Sequence, residues 1–133
     1  MIKNMKLLSI TTAILTAVCD LRIKDVMREI SPEEVIYNKG FAANALDGHP
    51  RAVAAVSAAF TAVLTAMLVS GSSSPEDELP DALILGGAVS NTAERIVRGK
   101  VTDYIPMGKY VYNIGDFAIY AGALAKIINS LRR

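Results

Sequence analysis

The chain has 133 residues, 52% of them hydrophobic and 20% charged, and carries 14 Lys and Arg against 13 Asp and Glu. That length bounds it to one domain of ordinary size, and scattered cations without a basic, aromatic-interleaved patch exclude a nucleic-acid interface. A single cysteine, Cys19, excludes an internal disulfide framework, and no Cys/His cluster offers zinc ligands.

In chain order, Lys3 and Lys6 precede a first apolar stretch, Leu7 to Val18, that ends before Asp20. Ser31 to Pro50 follows, with the β-prone Val35-Ile36-Tyr37 and several glycine or proline breaks, and reads as a strand with turns. His49 stands alone there and reads as a solvated loop residue. Ala52 to Gly71 is a run of twenty residues without a charge, which at about 1.5 Å per residue matches the ~30 Å core of a bilayer.

The acidic connection 71–80 comes next, where Ser74, Pro75 and Asp77 fit the N-cap, N1 and N3 positions of a following helix. The third apolar stretch, Ala82 to Ala93, holds Gly86-Gly87-Ala88 and Ser90, small residues that let another helix approach closely. Asn91 and Arg95 share one face by their i, i+4 spacing, while Glu94 and Arg98 are spaced for an ion pair at the helix end. Gly99 breaks this helix and Val101 to Asp103 leaves it extended. After a turn at Pro106-Met107-Gly108-Lys109, Tyr110 to Tyr112 leads into the fourth helix, where Asn113 and Asp116 share a face and Phe117 to Ala125 is apolar before Lys126.

These stretches predict an all-α membrane protein with four transmembrane helices and a small extracytoplasmic strand and loop region between helices 1 and 2. Residues 1–133 would form a single integral membrane domain. Hydropathy alone also admits a soluble helical bundle. Lys3 and Lys6 at one end and Lys126, Arg132 and Arg133 at the other favour both termini in the cytoplasm, which four crossings satisfy.

The chemistry rests on Asp103 and Asp116. Each lies at the edge of an apolar stretch, where a carboxylate costs about 2.5–3.5 kcal/mol even on the insertion scale. The turn between them can bring the two together at little loop-closure cost. Paired carboxyls sharing one proton can both activate water and protonate an amide, which is aspartic peptide hydrolysis. Neither a Gly-x-Ser-x-Gly elbow nor a histidine near Cys19 supports a nucleophilic alternative.

Three segments, Gly86 to Arg95, Arg98 to Ile105 and Tyr112 to Ile119, resemble those of lipoprotein signal peptidase, also called signal peptidase II. Upstream, Asp20 and Lys24 are similar to that family's Asp-x-x-x-Lys at the end of its first helix, and Asn38-Lys39-Gly40 to its Asn-x-Gly motif. The resemblance covers nearly the whole chain in order. It implies a four-helix aspartic endopeptidase of the bacterial inner membrane, without metal or cofactor, that cuts prolipoproteins before a diacylglyceryl-modified cysteine on the extracytoplasmic side. Its partners would be lipidated prolipoproteins and membrane lipids, and it would act as a monomer. Asp103 and Asp116 would be the catalytic pair. Asn38, Asn91, Asn113 and Arg95 would be supporting or substrate-binding residues, the asparagines orienting carboxylates or substrate backbone and Arg95 balancing negative charge, with Asp20 a further one near the membrane surface.

Some positions depart from the family pattern: Glu94 stands where aspartate is usual, Ile23 where a hydroxyl residue is usual, and Gly40-Phe41-Ala42-Ala43 rearranges a run of small residues. A different class of function comes from the amino terminus, where Leu15-Thr16-Ala17-Val18-Cys19 resembles a lipobox and would make the protein a small lipoprotein or binding module anchored at Cys19. Val18 is β-branched where that cleavage wants a small residue, and the uncharged run 52–71 would have no place in a soluble module.

Overall fold

In a computed structural model, which describes residues 2–133, the chain forms four α-helices and four three-residue strands: α1 (Ile2–Ile30), β1 (Ile36–Asn38), α2 (Pro50–Ser70), α3 (Glu78–Arg98), β2 (Val101–Asp103), β3 (Ile105–Met107), β4 (Tyr110–Tyr112) and α4 (Ile114–Arg132). Single 3-10 turns at Pro32–Glu34 and Ala42–Asn44 flank β1.

The third helix is the hub. It packs against α1, α2 and α4 and is buried on most sides, from Pro80 and Asp81 through Ser90, Asn91 and Glu94. Its small residues set the spacing as the sequence predicts. A Cβ added at Gly87 would lie 2.2 Å from the Gly115 carbonyl oxygen, and one at Gly86 would lie 2.6 Å from Thr16 Cβ, so α4 and α1 both approach at backbone distance. The apolar core is correspondingly small: Ala13, Leu64, Leu68, Ala82, Ile84 and Leu85.

Each flanking helix buries one stripe. On α1 the buried positions are Ser9, Ala13, Ala17, Asp20 and Lys24, and on α2 they are Val53, Ser57, Leu64 and Leu68, spacings that follow the helical repeat. Large side chains on the other faces, such as Leu7, Ile14, Leu15, Val56, Phe60 and Leu124, are exposed. Among the described residues two helices, Pro50–Ser70 and Ile114–Arg132, are long and apolar enough to cross a membrane by length and composition. The first contains the predicted uncharged run except its last residue, Gly71, which caps the helix, while α1 and α3 carry charges that turn inward.

The first helix runs past the apolar stretch to Ile30, up to the predicted loop at Ser31, because Asp20 and Lys24 are fully buried against α3 and let the helix persist. Two expectations need correction. The helix after the acidic connection starts at Glu78 with Asp77 at the N-cap position and no side-chain cap. Ser74 instead accepts a backbone bond from Glu78 N at 3.0 Å, in a turn ahead of the helix. The Asp77 carboxylate is occupied by Asn129 Nδ2 at 2.9 Å and Arg133 at 2.7 Å, which hold it below the usual carboxylate range. Finally, Arg98 is exposed and Glu94 pairs elsewhere.

The strands form two antiparallel pairs. β1 pairs with β2, setting Ile36 opposite Asp103 and Asn38 opposite Val101, and β3 with β4 makes a hairpin over the predicted turn. The segment between α1 and α2 is thereby tied to the segment between α3 and α4.

Candidate active site

Asp103 ends β2, and Asp116 lies in the first turn of α4. Asn113 joins them. As the N-cap of α4 it accepts from Asp116 N at 2.8 Å, while the Asp116 carboxylate accepts from Asn113 N at 3.0 Å, a reciprocal capping box. The same asparagine's Nδ2 donates to Asp103 Oδ1 at 2.9 Å and to Asn91 Oδ1 at 3.1 Å. One fully buried side chain thus fixes both acids and the start of the helix.

Asn91 contributes from α3, its Nδ2 donating to Asp116 Oδ1 at 3.0 Å. Its Oδ1 also accepts from Lys24 Nζ at 2.8 Å. Asp103 itself is buried, and burial together with Asp116 beside it pushes its carboxyl up to about 7, against the bond from Asn113 and the charge of Lys24 that favour the ionised form.

Asn38 closes a small turn, its Nδ2 donating to Phe41 O at 2.9 Å and its Oδ1 accepting from Gly40 N at 2.8 Å. Gly40 is required there, since a Cβ would lie 2.1 Å from the Ala45 carbonyl oxygen. Arg95 sets this loop against the bundle by donating to Gly40 O at 3.2 Å and Ser57 Oγ at 3.1 Å, with its guanidinium 5.5 Å from the centre of the Phe41 ring. Its bonded partners are therefore a carbonyl and a hydroxyl, and its buried Nε has none among the described residues.

Asp20 is fully buried and reaches neither of the paired aspartates directly. It accepts from Ser90 Oγ at 2.6 Å, from Tyr104 OH at 3.0 Å and from Lys24 at 2.9 Å. Tyr104 in turn accepts from Ile114 N at 3.2 Å, and burial pushes its phenol up. Sequence reasoning named Lys24 only as part of a motif and missed Thr102 and Tyr104. The one available signal was their position beside Asp103.

Two cavities meet at Asp116. The first, about 290 Å³, lies under the strands and is lined by Asp103, Asp116, Asn38, Arg95, Tyr112 and Tyr120 among others. The second, about 330 Å³, runs between α2, α3 and α4 along Val56, Phe60, Ala88 and Ile119 and shares Asp116, Arg95 and Phe41 with the first. Among the described residues no three His, Cys, Asp or Glu side chains are grouped to hold a metal ion. A buried pair of carboxyls with one pushed up to about 7, open to a cavity of mixed lining that continues into an apolar one, suits acid and base work on a bond within an apolar chain.

The lipobox reading of the amino terminus meets an obstacle here. Cys19 sits in the middle of α1, on an exposed face, and the next residue, Asp20, belongs to the buried network.

The family model described as signal peptidase (SPase) II matches residues 6–132. A lipoprotein signal peptidase of Cupriavidus taiwanensis is 42% identical over 57 residues, covering 39% of this chain and 32% of that protein. One of Caldicellulosiruptor bescii is 34% identical over 90 residues, covering 67% of this chain and 59% of that protein. The matched stretches thus span between a third and three fifths of these relatives' own lengths. In three dimensions, a bacterial membrane enzyme solved by the in meso method at 2.3 Å superposes with a TM-score of 0.79 over 93% of this chain and 87% of that one, at 20% identity. A second such enzyme, at 1.9 Å, gives 0.74 over 92% of each chain, also at 20% identity. The likeness establishes a shared fold.

Proposed function

The chain belongs to the signal peptidase II family, and from that premise we propose that it is an aspartic endopeptidase of the bacterial inner membrane that removes the signal peptide of prolipoproteins before the diacylglyceryl-modified cysteine. Residues 1–133 act as one domain, and the catalytic pair is Asp103 and Asp116. The observation that carries the reading is Asn113, whose amide and backbone N–H engage the two carboxyls at 2.9 and 3.0 Å.

The reaction uses one shared proton. Asp103, pushed up to about 7, enters as the acid and Asp116 as the base. Asp116 takes a proton from a water held between them as that water attacks the scissile carbonyl carbon, and Asp103 gives its proton to the carbonyl oxygen. When the tetrahedral intermediate collapses, the C–N bond breaks, the nitrogen takes the proton held by Asp116, and Asp103 recovers its own. Asn91 and Asn113 keep the carboxyls in register, Asn38 and Arg95 shape the loop over the cavity, and Asp20 anchors the floor beneath Tyr104. Water and two acids complete the chemistry without a cofactor.

In this reading all four helices cross the bilayer, with both termini cytoplasmic and the strands on the extracytoplasmic side. The charged residues of α1 and α3 that defeat a hydropathy test, Asp20, Lys24 and Glu94, are buried against one another, while Leu7, Ile14 and Leu15 face outward. That pattern supports lipid as the solvent of these faces. The apolar cavity between α2 and α4 would take the signal-peptide segment, and the cavity under the strands, where Asp103 and Asp116 lie, the residues around the cut. In this reading the protein works as a monomer.

The test is cleavage of a diacylglyceryl-modified precursor by the purified protein in lipid vesicles, read by gel shift. Wild type yields mature lipoprotein, whereas Asp103→Asn and Asp116→Asn remain in the membrane and yield none. Full processing by either variant refutes the reading, and so does equal cleavage of the unlipidated precursor.

A further inference from the structure

Glu94 takes no part in the mechanism above, yet its carboxylate is 4% exposed and its contacts with Thr102 and Lys24 lead to the site. Oε1 accepts from Thr102 N at 3.0 Å and lies 3.0 Å from Lys24 Nζ. Oε2 accepts from Thr102 Oγ1 at 2.7 Å and from Arg28 Nη1 at 3.0 Å, and Arg28 also donates to Thr102 Oγ1 at 2.7 Å. Two chains of bonds leave this carboxylate. One passes through Thr102, fully buried, to the next residue of the strand, Asp103. The other passes through Lys24 Nζ to Asn91 Oδ1 at 2.8 Å and from Asn91 Nδ2 to Asp116 Oδ1 at 3.0 Å. A single side chain on α3 is therefore coupled to both aspartates by separate routes.

We propose that Glu94 is a further positioning residue of the catalytic pair, acting behind Asn91 and Asn113: it clamps the β2 backbone one residue ahead of Asp103 and neutralises the Lys24 ammonium that orients Asn91 against Asp116. The proposal rests on the function proposed above and deepens it. Its charge balance is explicit. Lys24 and Arg28 from α1 face Glu94, and Asp20 on α1 faces Lys24, so two cations meet two acids in the buried group. Asp25, half-exposed, pairs with the outer side of Arg28, and Asp103 and Asp116 stand beyond Thr102 and Asn91. Arg98 on the same helix is exposed and makes no ion pair among the described residues. Aspartate, usual in this place in the resembling family, would keep the charge but shorten the reach by about 1.5 Å, one carbon–carbon bond.

Glu94→Gln keeps the shape and removes the charge. Its amide NH2 must face either Thr102 N–H or a cation, both donors, and the pair Lys24 and Arg28 is left with a surplus positive charge. We expect kcat for the lipidated precursor to fall about tenfold or more with KM within about twofold, and the alkaline limb of the kcat profile to move to lower pH, because surplus positive charge favours loss of the shared proton. Glu94→Asp should keep the limb where wild type has it and recover part of kcat. Wild-type kcat in Glu94→Gln overturns the proposal, as does a fall in kcat with the limb unmoved. Should Glu94→Gln fail to accumulate in the membrane, Thr102→Val removes one arm of the clamp and spares the charges. Reduced kcat with an unmoved limb supports the proposal there, and wild-type kcat overturns it. Carboxyl ¹³C titration of Asp103 separates this from the underlying reading. An inactive wild type refutes the proposed function, while an Asp103 titration unaltered by Glu94→Gln refutes the role of Glu94 whether or not the protein turns over.

Discussion

Replacing Asn113 separates helix capping from the proposed positioning of the two carboxyls in one side chain. In Asn113→Ala, α4 loses its N-cap, worth about 1 kcal/mol, and buried Asp103 Oδ1 loses a donor at 2.9 Å, worth about 1–3 kcal/mol more, so the expected destabilisation is about 2–4 kcal/mol. Asn91 Oδ1 keeps Lys24 and adds little to the loss. Asn113→Ser retains an oxygen able to accept from Asp116 N and should recover about 1 kcal/mol of that, because serine caps about as well as asparagine. Neither variant can donate to Asp103. Both should therefore lose kcat by about 10- to 100-fold, the rate equivalent of a charge-assisted bond of about 1.5–3 kcal/mol. Losing that donor raises the Asp103 carboxyl further, so the alkaline limb moves to higher pH, opposite to Glu94→Gln. Thermal unfolding in detergent and precursor cleavage across pH 5–9 read the two effects. Equal stability of the serine and alanine variants would refute the capping argument, and wild-type kcat in either would refute the positioning argument.

Other outcomes follow from the same contacts. Gly87→Ala forces a methyl to within 2.2 Å of Gly115 O, so α3 and α4 must separate; it should cost about 1–3 kcal/mol or more and abolish cleavage, while Gly48→Ala, with open space around it, should change melting temperature little. Lys126→Met leaves Asp81, only 2% exposed, with Ser73 Oγ at 2.6 Å as its remaining partner, and should lower thermal stability by about 2 kcal/mol without altering KM. Asp103 binds its proton more tightly folded, at about 7, than its ordinary 3.8, so the stability it contributes is full below pH 4 and is lost as pH rises toward 7. Unfolding measured from pH 4 to 7 should show that decline, and Asp103→Asn should flatten it.

Periodicity and breakers carried far in this chain. The uncharged run 52–71 and the small residues of α3 became the elements they predicted, and the thirteen-residue spacing of Asp103 and Asp116 around a turn became a hairpin that brings them to one asparagine. Local patterns failed where a distant partner was stronger. The spacing of Glu94 and Arg98 suggested an ion pair, yet such a pair on a helix surface is worth only about 0.3–0.5 kcal/mol, and a buried carboxylate offered Lys24 and Arg28 from α1 takes them instead. The Ser74-Pro75 cap signal yielded for the same reason, because Asn129 and Arg133 at the far end of α4 claim Asp77. Antiparallel pairing of β1 with β2 could not be read at all. Ile36 and Asp103 are 67 positions apart, and nothing in either three-residue segment fixes the other as its partner.

The burial pattern decides which forces can hold the fold together. Among the largest fully buried side chains are Lys24, Asn113, Thr102, Asp20 and Ser90, whereas Leu7, Ile14, Val63 and Leu131 are exposed. In water this arrangement would be costly on both counts. In lipid the apolar surface gains nothing by moving inward, and the polar groups have no solvent to return to, so close helix contact at glycines and a satisfied hydrogen-bond network become the specifying interactions. The network that specifies the packing of α1, α3 and α4 is the same one that ends on Asp103 and Asp116. A substitution within it must therefore disturb helix packing and carboxyl geometry together, and only variants that preserve shape while altering a charge or a single donor can tell the two apart.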